Sequence, residues 1–160
     1  MGEPPAHPAR YCAALCSITC DSVSVFLARA IFSLSSACLG EEGIELQGSE
    51  LTLDEAVALA RKRYKWMPLC AVEEWTILDA IVTDEERAKV TAAGCQPIFM
   101  FAHKVVDDEQ RRFEPGHWVR SSMGTAFKEG YLFETRNTVY VLLGPGHRKS
   151  SSIEAIFSLF

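Results

Sequence analysis

At 160 residues, with 48% hydrophobic and 23% charged positions, the chain has the make-up of one globular domain, not of a disordered or fibrous segment. Its net charge of −5 is uneven: residues 41–94 carry 12 acids against 6 bases, residues 95–143 carry 6 of each, and residues 144–160 carry Arg148 and Lys149 against Glu154. A surface-wide field that attracts nucleic acid is therefore excluded, and only a small basic tip remains.

The first stretch, Tyr11–Leu39, is apolar and serine-rich, but Asp21 and Arg29 interrupt it and leave no run of about 18 apolar residues for a membrane helix. The leading MGEPPAHPAR sets one Arg against Glu3, a poor start for a signal peptide, so a cytoplasmic location is expected. Six cysteines (Cys12, Cys16, Cys20, Cys38, Cys70 and Cys95) form no CxxC pair and stand at no metal-ligand spacing from a histidine. The fourfold spacing of Cys12, Cys16 and Cys20 shares one face if that stretch is helical, a geometry that opposes disulfides. They read as free thiols of a reducing compartment, and neither metal nor cofactor is expected. Glycines alternate with acids in LGEEGIELQGS, which reads as a linker. Residues 1–48 are thus expected to be a poorly ordered or loosely attached extension and linker, and residues 49–160 a single domain.

From Glu50 the local signals sharpen. Thr52-Leu53-Asp54-Glu55 is a capping box that opens a helix to about Lys65, with Leu53, Ala56, Val57, Ala60 and Tyr64 as its buried stripe. Arg61, Lys62, Arg63 and Lys65 load its last turn, where cations suit the helix dipole, and Pro68 ends it. AVEEWTILDAIVT reads as strand, with a short helix over EEWTILDAI as the alternative. Thr83-Asp84-Glu85-Glu86 caps a second helix that stops at Gly94. PIFMFAHKVV (97–106) is a strand covered on both faces, and DDEQRRF is a polar turn. HWVRSS (117–122), GYLFET (130–135) and NTVYVLLG (137–144) read as three more strands of a meander. Gly-Pro-Gly (144–146) then turns the chain toward a last amphipathic helix bearing Ile153, Ile156, Phe157 and Phe160. The expected fold is α+β: a largely antiparallel four- or five-stranded meander with two or three helices packed on it.

Three places carry candidate chemistry. Alternation along 117–122 puts Trp118, Arg120 and Ser122 on one side, where a guanidinium fork, an indole and a hydroxyl suit a phosphate or carboxylate; an ordinary pair of Arg120 with Glu129 or Glu134 is the competing reading. Arg136 and Asn137 precede the next strand, and Arg148 and Lys149 follow it, roughly 20 Å away along a strand of about 7 residues, so that strand alone cannot bring them to one ligand. GPGHRKS lacks the spacing of a phosphate loop, and the chain has no GxSxG, HExxH or dinucleotide motif, so no catalytic residue is assigned and an enzyme is not expected. His103 reads as a core or rim histidine. Asp107, Asp108 and Glu109 read as a solvated turn, not a metal site.

WVRSS and FETRNTVYVLLGPGHRK, with the helix bearing Ala56 to Arg63 and the segment Glu74–Leu78, resemble a family of small uncharacterised proteins of Pseudomonas and related proteobacteria, often carried on mobile elements and prophages. The resemblance runs from about Glu50 to Lys149 and implies a bacterial cytosolic setting and no particular chemistry. Two functions follow as expectations. One is an interaction module that binds a partner protein through the acidic 41–94 face or through Trp118, Arg120, Ser122, Arg136 and Asn137. The other is a nucleic-acid-associated protein using Arg120, Arg136, Arg148 and Lys149.

Overall fold

The computed structural model describes residues 43–158. In chain order its elements are β1 (Ile44–Gln47), α1 (Leu53–Arg63), β2 (Leu69–Ile81), α2 (Asp84–Ala92), β3 (Ile98–Asp108), β4 (Val119–Arg120), β5 (Ala126–Lys128), β6 (Leu132–Glu134), β7 (Val139–Leu142), β8 (Pro145–Ser152) and α3 (Ile153–Ser158). The expectations for Tyr11–Leu39 and for Cys12, Cys16, Cys20 and Cys38 lie outside the described residues.

Local chemistry sets the helices. Thr52 gives its N–H and its hydroxyl to Glu55 Oε2, at 3.1 and 2.7 Å, and α1 follows. Thr83 donates its N–H to Glu86 Oε2 at 2.8 Å, and the Glu86 N–H returns to Thr83 Oγ1 at 3.3 Å, starting α2. The two helices then diverge. α1 buries Ala56 and Ala60 against Leu69, Ala71, Val139 and Val141, whereas α2 buries no residue at all. Ala88, Val90 and Ala92 are too small and too few to make a packing stripe.

The sheet overturns the expected small antiparallel meander. Eight strands form one mixed sheet, in the order β1-β8-β2-β7-β6-β5, with β3 on the other edge of β2 and β4 beyond it. The antiparallel pairs are β1–β8, β2–β3, β3–β4, β5–β6 and β6–β7. Both remaining contacts of β2 are parallel: Leu69–Val72 lie beside Val139–Leu142, and Trp75–Ile81 lie beside Gly146–Ser152. Strands therefore dominate, and the short helices ornament them. Alternation within each segment is the same for either partner direction, so the segments were legible and their pairing was not.

Several boundaries move for related reasons. Ile44–Gln47, in the glycine-rich stretch that reads as a linker, is a strand because β8 offers it an edge. HWVRSS narrows to Val119–Arg120, and GYLFET belongs to a hairpin of β5 and β6 that turns at Glu129 (φ 54°) and Gly130 (φ 75°). Gly144-Pro145-Gly146 is not a turn. It is a bend between β7 and β8, which together run beside β2, with Gly144 at φ 63°.

Trp75 explains that bend. Its indole is fully buried, its Nε1 donates to the Leu143 carbonyl at 3.2 Å, and its ring lies so close to Gly146 that an added Cβ would sit 2.3 Å from Cδ2. Opposite the bend, Glu74 adopts φ 52°, and the inward parity of β2 changes: Cys70 and Val72 share a face with Trp75 and Ile77. The apolar layer on that face is Trp75, Ile77, Met100, Val105, Phe133 and Leu142, with their neighbours. On the reverse face α1 covers the β7 half, and Ile156 of α3 packs on Leu78, Ala80, Phe99 and Phe101 in the other half.

Candidate functional site

The sequence-predicted residues fall in three different settings. Trp118 stacks on Phe101 with ring centroids 6.2 Å apart, and the Arg120 guanidinium stands 4.8 Å from the centre of the Phe157 ring while Nη1 donates to the Ile156 carbonyl at 3.3 Å. Arg120 thus fastens the end of α3, and burial lowers its pKa below the ordinary arginine value. Ser122 is exposed beside it. His103 lies edge-on to Phe101 at 4.8 Å, half-buried at the rim. Arg136 and Asn137 are exposed, and Arg136 Nη2 donates to Ala93 O at 2.7 Å, just past the C-terminal end of α2. Arg148 lies in β8 with Asp79 of β2, and Lys149 points to the other side, its Cγ 2.5 Å from where a Cβ on Gly43 would stand. The four arginine and lysine candidates do not share one face.

The structure does bring Arg148 into a cleft that sequence reading left unassembled. At the far end of β2 the sheet face opens into a depression of about 430 Å³ between β2, β8 and α2. Its polar lining is Asp79, Arg148 and Ser150 of the sheet, Arg87 and Thr91 of α2, and Gln96. Ile81, Val82, Pro97 and Ile98 supply apolar wall. Asp79 takes Arg148 through two parallel bonds, Nε to Oδ2 at 2.7 Å and Nη2 to Oδ1 at 2.8 Å. These bonds raise the arginine's pKa above its ordinary value. Two isoleucines flank the pair: Ile44, opposite Arg148 across the β1–β8 ladder, is 68% exposed, and Ile81 is 66% exposed.

A second Arg–Asp pair shows what a finished version looks like. At the other end of β2, Asp108 stands opposite Cys70 with its carboxylate wholly buried, and Arg112 binds it through Nε at 3.1 Å and Nη2 at 2.7 Å. Arg112 Nη1 goes to Thr138 Oγ1 at 2.8 Å, and the Arg112 N–H donates to Asp108 at 2.6 Å. Burial works to raise the Asp108 pKa, but the bonds from Arg112 outweigh it and hold the carboxyl below the ordinary range. The expected solvated DDEQRRF turn is, at this residue, an internal polar anchor. Next to it the Cys70 thiol is pushed up to about 12 by burial and by the Asp108 charge, which makes it a poor nucleophile.

The sequence alone does not single out Asp79, Arg87, Thr91, Gln96 or Ser150. Two signals were present: a single carboxylate inside the apolar run TILDAI, which needs a partner, and a capped helix without an apolar stripe, which leaves the space beside it open.

The model of a domain of unknown function (DUF6957) matches residues 47–158. No curated protein and no solved structure matches the chain.

Proposed function

The chain belongs to the DUF6957 family, whose function is unknown, and from that premise we propose that it is a small interaction module that binds a partner protein through the open face around Asp79 and Arg148. The observation that carries this reading is the pair of isoleucines, 68% and 66% exposed, flanking a preformed Arg–Asp pair on a sheet face that is otherwise packed. Apolar flanks with an ordered arginine between them are the composition of a protein-binding patch. A bacterial cytoplasmic setting, with carriage on mobile elements, belongs to the same proposal; the buried free thiols Cys70 and Cys95 fit a reducing compartment. No helix among the described residues is long and apolar enough to cross a membrane.

The nucleic-acid alternative draws less support, because Asp79 neutralises Arg148 while Arg120 is engaged at the end of α3. The test is quantitative capture from extracts of the source cells with the full chain, at low and moderate salt. Enrichment of a protein that survives moderate salt and is lost in Ile44→Asp/Ile81→Asp supports the reading. Capture unchanged in that variant sinks it. Recovery of nucleic acid that disappears at moderate salt and in Arg148→Ala/Lys149→Ala selects the alternative.

A further inference from the structure

Resting on that reading, we propose that the cleft recognises the C-terminal carboxylate of the partner, seated with an aliphatic last side chain. Asp79 occupies the Nε and Nη2 positions of Arg148, and among the described residues nothing accepts from Nη1, in contrast to Arg112, whose Nη1 is taken by Thr138. Arg148 is therefore held in place with one side of its fork still able to donate. Arg87 faces the same space, and its guanidinium makes no ion pair or hydrogen bond among the described residues; the hydroxyls of Thr91 and Ser150 and the Gln96 amide likewise have no protein partner there.

The charge balance selects the ligand. Two guanidiniums against one carboxylate leave a single positive charge, which matches one carboxylate better than a phosphate dianion. The groups left over are mainly donors. A chain terminus presents both carboxylate oxygens with only one backbone N–H close behind them, whereas an internal Asp or Glu arrives with peptide groups on both sides that need partners of their own. The last side chain of the terminus then meets Ile81, Val82 and Pro97. The volume of about 430 Å³ is that of a site for a few groups, not for a long segment.

The experiment uses the full chain and a bead-synthesised peptide pool randomised over its last four positions. It is displayed with free C-terminal carboxylates, in parallel with the same pool amidated and with a pool carrying an internal Asp behind an amidated end. The expected result is enrichment from the free-carboxylate pool only, with Val, Ile or Leu in last place. Selected peptides should bind at least about tenfold more weakly to Arg148→Lys, which keeps a cation for Asp79 but loses the planar fork. They should also lose affinity for Arg87→Ala, whose exposed side chain has no internal bond to lose. Excess inorganic phosphate should not compete. Equal enrichment of the amidated or internal-Asp pool, no enrichment from any pool, or binding unchanged in both variants overturns the proposal. If partner capture still depends on Ile44 and Ile81 while these peptide results are negative, the carboxylate site falls and the interaction module stands.

Discussion

The two ends of β2 each hold an arginine clamped by an aspartate through the same two nitrogens, and they differ in the burial of the carboxylate and in what the remaining guanidinium nitrogen meets. At the Cys70 end, Asp108 has no exposed side-chain surface and takes backbone N–H groups as well as Arg112, whose guanidinium also reaches Thr138 although 33% of that arginine side chain stays in solvent. At the Ile81 end, Asp79 and Arg148 have 33% and 41% of their side-chain surface in solvent, with open space beyond. The same pairing thus does two jobs. Where the fork is exhausted inside the chain it holds the fold, and where part of it is spare it supplies the contact proposed above for a partner.

Mutation can break that contrast, most strongly at the closed end. Asp108→Ala should cost about 3 kcal/mol or more, because it strands a partly buried guanidinium, and urea denaturation will measure it. Acid titration gives the matching sign. A carboxyl held below its ordinary value contributes its full stability above about pH 4 and loses it as the pH falls through the lowered value, so Asp108→Asn should flatten the acid limb of the stability curve. Next in size is Gly146→Ala, which forces a methyl onto the Trp75 indole between the two ends and should cost about 1–3 kcal/mol in the same assay. Thr138→Val leaves Arg112 Nη1 without its acceptor and makes the closed pair resemble the open one; about 1 kcal/mol is expected. Asp79→Ala should cost least, under about 1 kcal/mol, since both side chains of its pair reach water. A loss at Asp79 as large as that at Asp108 would erase the distinction between the two ends.

How much of this could be read beforehand follows the range of the forces. Thr52 with Glu55 and Thr83 with Glu86 announce their helices because a cap needs only four consecutive residues. The β-prone runs at 71–83, 97–106 and 137–144 announce strands for the same local reason. Nothing in GPGHRKSSS tells a turn from a bent strand, because the cause is an indole at position 75 lying over a glycine at 146. Of the candidate residues, Arg148 belongs to the cleft, while Arg120 is engaged under Phe157 and Ile156 and Arg136 with the Ala93 carbonyl. The rest of the cleft comes from β2, α2, the stretch leading into β3 and Ser150 of β8, parts that only the folded sheet brings together.

The parallel pairing of β2 also governs when the molecule can form during synthesis. Leu69 pairs with Val139 and Ile81 with Ser152, about 70 positions later, so a nascent chain has long since released its longest strand before the partners for one of its edges exist. Until then β2 has only β3 beside it, and an unpaired edge next to Trp75 is a site for wrong pairing. Folding should therefore be slow for a chain of this size and late in translation. Ribosome-bound chains halted before Val139 should be protease-sensitive, and protection should appear only after Ser152 has emerged.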